Sequence, residues 1–273
     1  MNIDTALSSL GVTADTLSGA QRQSLDQDGF LVVPSVLPVE LCAQIRARMD
    51  AISLAEGEQA GSDFHKEAGV IRLGNLMNKD PLFDVIYTHP LALASLRHIT
   101  RGEFGVSSVT GRVALPGQGL QPFHQDFTQE VSPGVWLPGD LRAANVLWLI
   151  DEFTADNGPT RVIPGSHLIR GTTPGGILAD GLATHPREKH IIAPMGSMVA
   201  IDAFLWHAGT RNTSDRPRRL ANAMCQPRTH YQQWFDRHVT HETAERIGEA
   251  GRYVLDHPIR TGAKLPADAV AAS

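Results

Sequence analysis

Residues Gly196–Asn212 read GSMVAIDAFLWHAGTRN. A glycine opens the run, β-branched and aromatic side chains fill it, and Gly209 and Asn212 close it. That is the make-up of a short strand between turns. Five further runs share it: FGVSSVTGRVAL (104–115), AANVLWLID (143–151), TRVIPGSH (160–167), KHIIAP (189–194) and RRLANAMCQP (218–227). Each is bounded by Gly, Pro, Asn or Asp. Short strands separated by such turn chemistry predict a sandwich or a double-sheet barrel.

Upstream the periodicity becomes helical. ADTLSGAQRQSLDQDG (14–29) reads as a polar helix closed by Gly29. FLVVPSVL (30–37) reads as a short strand that Pro34 marks as an edge. PVELCAQIRARMDAISLA (38–55) sets Leu41, Cys42, Ile45, Met49 and Ile52 on one helical face, with Pro38 at its start. DPLFDVIYTHPLALASLRHI (80–99) predicts two helical pieces broken before Pro90, and HETAERIGEAGRYVLDHP (241–258) a polar closing helix. The expected fold class is mainly β with flanking helices, in one domain over 1–273. Helices occupy the N-terminal part to about residue 101 and the β core spans about 102–230. A C-terminal helix and a mobile tail, TGAKLPADAVAAS (261–273), fall within 231–273.

Composition narrows the function classes. The net charge is −5 and the pI near 6.2. RNTSDRPRR (211–219) is the one locally basic cluster, and Asp215 dilutes it, so a nucleic-acid partner is not expected. No run approaches the roughly 20 apolar residues that span a bilayer, so no membrane partner is expected either. The N-terminus carries no basic, apolar leader, and Cys42 and Cys225 read as buried free thiols; both features predict a cytoplasmic setting. What remains is a partner that is a small molecule; the sequence carries no sign of oligomeric state.

The chemistry concentrates in PFHQDF (122–127). On an extended segment, residues two apart point to the same side, so His124 and Asp126 face one place. Most H-x-D pairs are a mere hydrogen bond on a sheet surface. FHKE (64–67) offers a rival at His65 and Glu67, but its polar, glycine-rich neighbours EGEQAGSD (56–63) mark it as a solvated loop. His124 differs because the opening run ends in His207, a second imidazole on a separate strand. Two histidines and a carboxylate on one face suit non-haem Fe(II) and leave three coordination positions open, whereas structural zinc closes its shell. The open positions admit a chelating cosubstrate and O2. An arginine-bearing run, RPRRLANAM (216–224), follows at once. Its planar, permanently charged fork suits the far carboxylate of 2-oxoglutarate. Alternation puts Arg218, Leu220, Asn222 and Met224 on one face and Arg219, Ala221 and Cys225 on the other, without saying which looks inward.

FHQD (123–126), DNGPTRVIPGSH (156–167) and WHAGTRNTSDRPRR (206–219), with the opening DQDGFLVVPSVLPVEL (26–41), resemble the phytanoyl-CoA dioxygenase family of Fe(II)/2-oxoglutarate oxygenases. The resemblance runs from about Asp26 to Arg228. It implies a double-stranded β-helix (jelly-roll, cupin-like) core. It implies His124, Asp126 and His207 as iron ligands, Arg218 as the 2-oxoglutarate arginine with Arg219 outward, and a Thr160 hydroxyl toward the cosubstrate. Gln121 and Trp148 are expected on the cofactor side. Thr110, Arg112, Phe127, Trp136 and Trp206 are expected around the substrate, with Leu137 beside Trp136 in the loop TQEVSPGVWLPGD (128–140). His167 is expected to be structural, and TTPGGILADGLATHPREK (172–189) is a candidate lid.

The activity implied is oxidation of an unactivated C–H bond of a metabolite, by default hydroxylation, with succinate and CO2 as coproducts. Related halogenases carry a small residue where Asp126 stands, so halogenation is disfavoured. Desaturation, epimerisation and ring formation stay open. Two other classes are carried: a cupin-type dioxygenase that needs no 2-oxoglutarate, and a non-catalytic metal-binding barrel.

Overall fold

The computed structural model describes residues 1–132, 135–136, 141–231 and 237–260, with the backbone alone at 131, 132 and 136. The tail over 261–273 and Leu137 lie outside these residues. The helices are α1 (Ile3–Ser9), α2 (Gly19–Gln27), α3 (Val39–Glu56), α4 (Asp84–Thr88), α5 (Pro90–Thr100), α6 (Pro174–Ile177) and α7 (His241–Leu255). The strands are β1 (Phe30–Val33), β2 (Val70–Leu73), β3 (Phe104–Ala114), β4 (Glu130–Ser132), β5 (Val135–Trp136), β6 (Ala144–Leu149) and β7 (Thr160–Val162). They continue with β8 (Lys189–His190), β9 (Met198–Asp202), β10 (His207–Gly209), β11 (Arg218–Pro227), β12 (Val239–Thr240) and β13 (Ile259–Arg260).

Local chemistry explains the helix limits. Ser18 and Gln21 form a reciprocal capping box at the start of α2, which ends before Gly29 at φ 80°. Pro38 precedes α3, and Cys42, Ile45, Met49 and Ile52 are its buried stripe. Pro90 separates α4 from α5.

Six strands form one antiparallel sheet in the order β1-β9-β6-β11-β3-β2. A smaller sheet, β10-β7-β8, is built from the runs between them. This is the mainly antiparallel, helix-flanked jelly roll expected, and Pro34 does follow an edge strand. The large sheet sorts its side chains strictly. Val109 and Val113 of β3, Val146 and Trp148 of β6, and Ala221 and Ala223 of β11 join the helices in the main apolar core. Leu147, Leu149 and Leu220 face the smaller sheet and pack with Phe153 and Val162. Gly111 belongs to the helix side: a Cβ there would stand 2.8 Å from Met49 Cε, so a larger residue would make the end of the Met49 side chain shift. Between Ser108 and Val106 the β3–β11 register slips, so both even-numbered residues can face opposite ways.

Trp148 is therefore a correction. It is fully buried on the helix side, donates Nε1–H to Ile86 O at 2.9 Å, and meets the His89 ring at 5.2 Å. Its neighbours Asn145 and Leu147 have the inward phase instead. Substituting Trp148→Phe is expected to cost about 2–4 kcal/mol, from a cavity plus an unpaired Ile86 carbonyl. The urea midpoint would fall accordingly; an unchanged midpoint would contradict this placement.

Candidate metal centre

His124 is not within a named strand, yet it behaves as one. Its N–H donates to His207 O at 3.0 Å and its carbonyl accepts from His207 N at 3.1 Å. This bridge adds residue 124 to the edge of β10. Gln121 N donates to Gly209 O at 2.9 Å, and Gln121 Oε1 accepts from Gly209 N at 3.0 Å. Asp126 and Phe127 both donate their N–H to Ala203 O. Residues 121–127 are thus laced along 203–209.

The consequence is convergence. His124, Asp126 and His207 present ligand atoms that all lie within 4.8 Å of one another. Asp126 Oδ1 is 3.6 Å from His124 Nε2, and Oδ2 is 3.4 Å from His207 Nε2. Each ring is oriented from behind: His124 Nδ1 lies 3.0 Å from Pro122 O and His207 Nδ1 2.8 Å from Leu205 O. A carbonyl only accepts, so both Nδ1 atoms carry a proton and both Nε2 atoms are turned toward the carboxylate. Burial, then the neighbouring His207, press the His124 imidazole down to about 4. Burial opposes the charge on Asp126, but His207, and hydrogen bonds from His207 and Asn145, outweigh it and hold the carboxyl well below its usual range. Burial also opposes charge on His207, and the Asp126 carboxylate reverses that, raising its pKa.

A polar chain across three strands holds the carboxylate. Thr110 Oγ1 donates to Asn222 Oδ1 at 2.5 Å, Asn222 Nδ2 to Asn145 Oδ1 at 3.2 Å, and Asn145 Nδ2 to Asp126 Oδ2 at 2.9 Å. The sequence reading did not single out Asn145; its signal was an amide inside the apolar run AANVLWLID.

A cavity of about 420 Å³ opens beside these groups. Of the residues expected there, Thr110, Arg112, Gln121 and Thr160 line it. Phe127 does not: it points the other way from Asp126 and packs edge-on to Phe204 at 5.7 Å. Trp206 does not either, since it alternates with His207 and packs with Phe123 and Ile163. The Trp136 side chain lies outside the described residues. His167 is buried against Gly29, with Nε2 3.3 Å from Asp26 O, away from the three ligands.

The 64–67 segment is a second correction. Phe64 and His65 line the cavity, and Glu67 is no solvated side chain. It grips Arg112 through both oxygens, Oε1 to Nη2 at 2.6 Å and Oε2 to Nε at 3.0 Å. Polar, glycine-rich neighbours hid this, because they fold back over β2 rather than into water. The 172–189 segment is pinned by Arg161, whose guanidinium donates to the carbonyls of Gly181, Leu182 and Ala183 and pairs with Glu188 at 3.2 Å.

Arg218 starts β11 on the same face as Leu220 and Asn222, but lies outside the cavity wall. It is 1 % exposed, stacks over Phe153 at 4.4 Å, and donates Nη2 to Gly158 O at 2.5 Å. Its Nε and Nη1 have no hydrogen-bond partner among the described residues. Burial, then Arg112, pull it down to about 9, which still leaves it a cation at neutral pH. Arg219 faces away and pairs with Asp50 and Asp151 at 2.7 and 2.9 Å.

A family model described as phytanoyl-CoA dioxygenase (PhyH) matches residues 25–220. Uncharacterized protein Rv1501 of Mycobacterium tuberculosis is 28% identical over 248 residues, covering 88% of this chain and 83% of the relative. Iron/alpha-ketoglutarate-dependent dioxygenase ausO of Aspergillus calidoustus is 26% identical over 202 residues, covering 68% and 64%. In fold the chain is similar to HygX from Streptomyces hygroscopicus, solved with nickel, 2-oxoglutarate and hygromycin B. That match has a TM-score of 0.61 and 17% identity, and covers 82% of this chain and 91% of HygX. It is also similar to the alpha-ketoglutarate-dependent carbocyclase SnoK from nogalamycin biosynthesis, with a TM-score of 0.60, 20% identity and coverage of 80% and 87%.

Asn145→Ala removes the donor that aims Asp126. Metal affinity should fall by about 10–100-fold with the fold intact. Calorimetric titration with Co(II) measures this, and an unchanged affinity would remove Asn145 from the site.

Proposed function

The chain belongs to the phytanoyl-CoA dioxygenase family, and from that premise we propose that it is an Fe(II)/2-oxoglutarate-dependent oxygenase. The proposed reaction is oxidation of an unactivated C–H bond of a small organic molecule, by hydroxylation. The observation that carries the reading is the convergence of two imidazole Nε2 atoms and one carboxylate within 4.8 Å. This donor set fits ferrous iron with positions left open. Arg218 supports the cosubstrate: a fully buried guanidinium with two unpartnered nitrogens suits a carboxylate acceptor.

When bound, iron and 2-oxoglutarate supply an oxidant derived from O2, with succinate and CO2 as coproducts. The chain supplies everything else. His124, Asp126 and His207 would hold the metal. Asn145 and the Pro122 and Leu205 carbonyls keep the three ligands in one orientation. Arg218 would grip the distal carboxylate, and Thr160 and Gln121, both on the cavity wall, would flank the cosubstrate. Leu147, Leu220 and Met224 exclude water from one side. The likeness to a carbocyclase supports keeping ring formation as a second outcome of the same chemistry. Both cysteines are free and buried, which supports a reducing, cytoplasmic setting.

Anaerobic Fe(II) plus 2-oxoglutarate should give a visible metal-to-ligand charge-transfer band. Arg218→Ala should raise the 2-oxoglutarate concentration for half-saturation on the order of 100-fold, the effect of unpairing a buried charge. Oxygen uptake that proceeds equally without 2-oxoglutarate would favour the cupin-type class, and a wild-type protein with no band would remove the oxygenase assignment.

A further inference from the structure

The cavity contains a cation that the proposed chemistry does not use. Arg72 stands on edge strand β2, directly opposite Arg112 of β3, which in turn faces Leu220 of β11. The three residues form one row across the sheet, and all line the cavity. The loop before β2 folds over this arginine: a Cβ at Gly61 would lie 2.9 Å from Arg72 Cβ, and the guanidinium sits 5.8 Å from the Phe64 ring centre. The side chain is 13% exposed.

Its electrostatic position is unusual. Glu67 is committed to Arg112 through both oxygens. Arg72 Nε reaches Glu67 Oε2 at 3.0 Å but is out of line for a hydrogen bond. Two guanidinium groups therefore share one carboxylate, and only one is properly bonded. Burial lowers Arg72 to about 10, with Glu67 opposing that fall, so it is charged at neutral pH.

The loaded site sharpens the point. The charge on ferrous iron and on Arg218 would meet Asp126 and the 2-oxoglutarate dianion. Glu67 meets Arg112. Among the described residues Arg72 is left with only a share of Glu67, inside a cavity whose low dielectric makes an incompletely neutralised charge expensive. Beside it, Phe64 and the exposed His65 line the same wall, so that end of the cavity reaches solvent.

We propose that Arg72 anchors a carboxylate on the substrate, so that the enzyme takes small organic acids carrying one negative charge. Arg72 is a specificity-determining residue in this view: its fork fixes the acid group near the mouth and leaves the apolar remainder to reach past Leu220 and Met224 toward the metal ligands. The inference rests on the oxygenase reading of the site. It adds the substrate class and a residue outside the family motifs.

The test is calorimetric binding to the anaerobic protein loaded with Fe(II) and 2-oxoglutarate. The probes are matched acids and amides: cyclohexanecarboxylate and its carboxamide, 3-phenylpropanoate and 3-phenylpropanamide, indole-3-acetate and indole-3-acetamide. At least one acid should bind about tenfold tighter than its amide, the effect of one charge-assisted contact, without loss of the charge-transfer band. Arg72→Gln should erase that preference, Arg72→Lys should keep most of it, and neither should change 2-oxoglutarate affinity by more than about threefold. Three results would overturn the proposal: no acid outbinding its amide in the wild type, a preference that survives Arg72→Gln, or a tenfold loss of 2-oxoglutarate affinity in that variant, which would assign Arg72 to the cosubstrate. Absence of the band in the wild type is a separate outcome, and it would defeat the oxygenase reading itself.

Discussion

The site depends on one pair of backbone hydrogen bonds, those exchanged between His124 and His207. The two residues are far apart in the chain and neither sits in a long strand. Their reciprocal N–H to carbonyl contacts make them a directly opposed antiparallel pair, which sends both side chains to the same face of the small sheet. The rings end 4.4 Å apart, centre to centre. Asp126 follows two residues later on that same face. Ordering these residues before a metal arrives lowers the conformational entropy that binding must overcome.

The large sheet turns that pair into a buried polar site without exposing the core. Its helix side is apolar apart from Arg219 at one end, which pairs with Asp50 of α3, so helices α3, α4, α5 and α7 seal it. Its other side mixes leucines with Thr110, Arg112, Asn145 and Asn222. Thr110, Asn222 and Asn145 are tolerated because they bond to each other and to Asp126 in an unbroken chain, and Arg112 because it bonds to Glu67. The cations of this interior are not uniformly satisfied. Arg112 and Arg219 have carboxylates; Arg72 only shares Glu67 with Arg112, and Arg218 has two nitrogens without a partner among the described residues. Buried, incompletely bonded guanidinium groups suit the anionic ligands proposed for this site.

Much of this was legible in the residues. The strand runs, the Pro34 edge, the buried stripe of α3 and the break at Pro90 all follow from local chemistry that tertiary packing did not override. The H-x-D pair became legible only together with the later histidine and the arginine run, because such a pair alone is most often a hydrogen bond on a sheet surface. The tryptophan and phenylalanine readings failed for one common reason. Trp148, Trp206 and Phe127 each sit one residue from a group that faces the cavity, and a strand reverses direction at every step. Large aromatic side chains suit a pocket wall and a core equally well, so residue type could not correct the phase.

By itself the sequence determined the donor chemistry and the alternation: which imidazoles, carboxylate and arginines exist, and which of them share a face of a strand. Only the tertiary structure decided which face looks inward. It alone set Glu67 against Arg112 and left Arg72 in the same cavity as the candidate metal ligands. Those residues come from a loop and an edge strand that pair across the sheet with partners far along the chain. Periodicity is a local property of the backbone, whereas a charge balance is a property of everything that packs around a point, and no spacing along the chain encodes it.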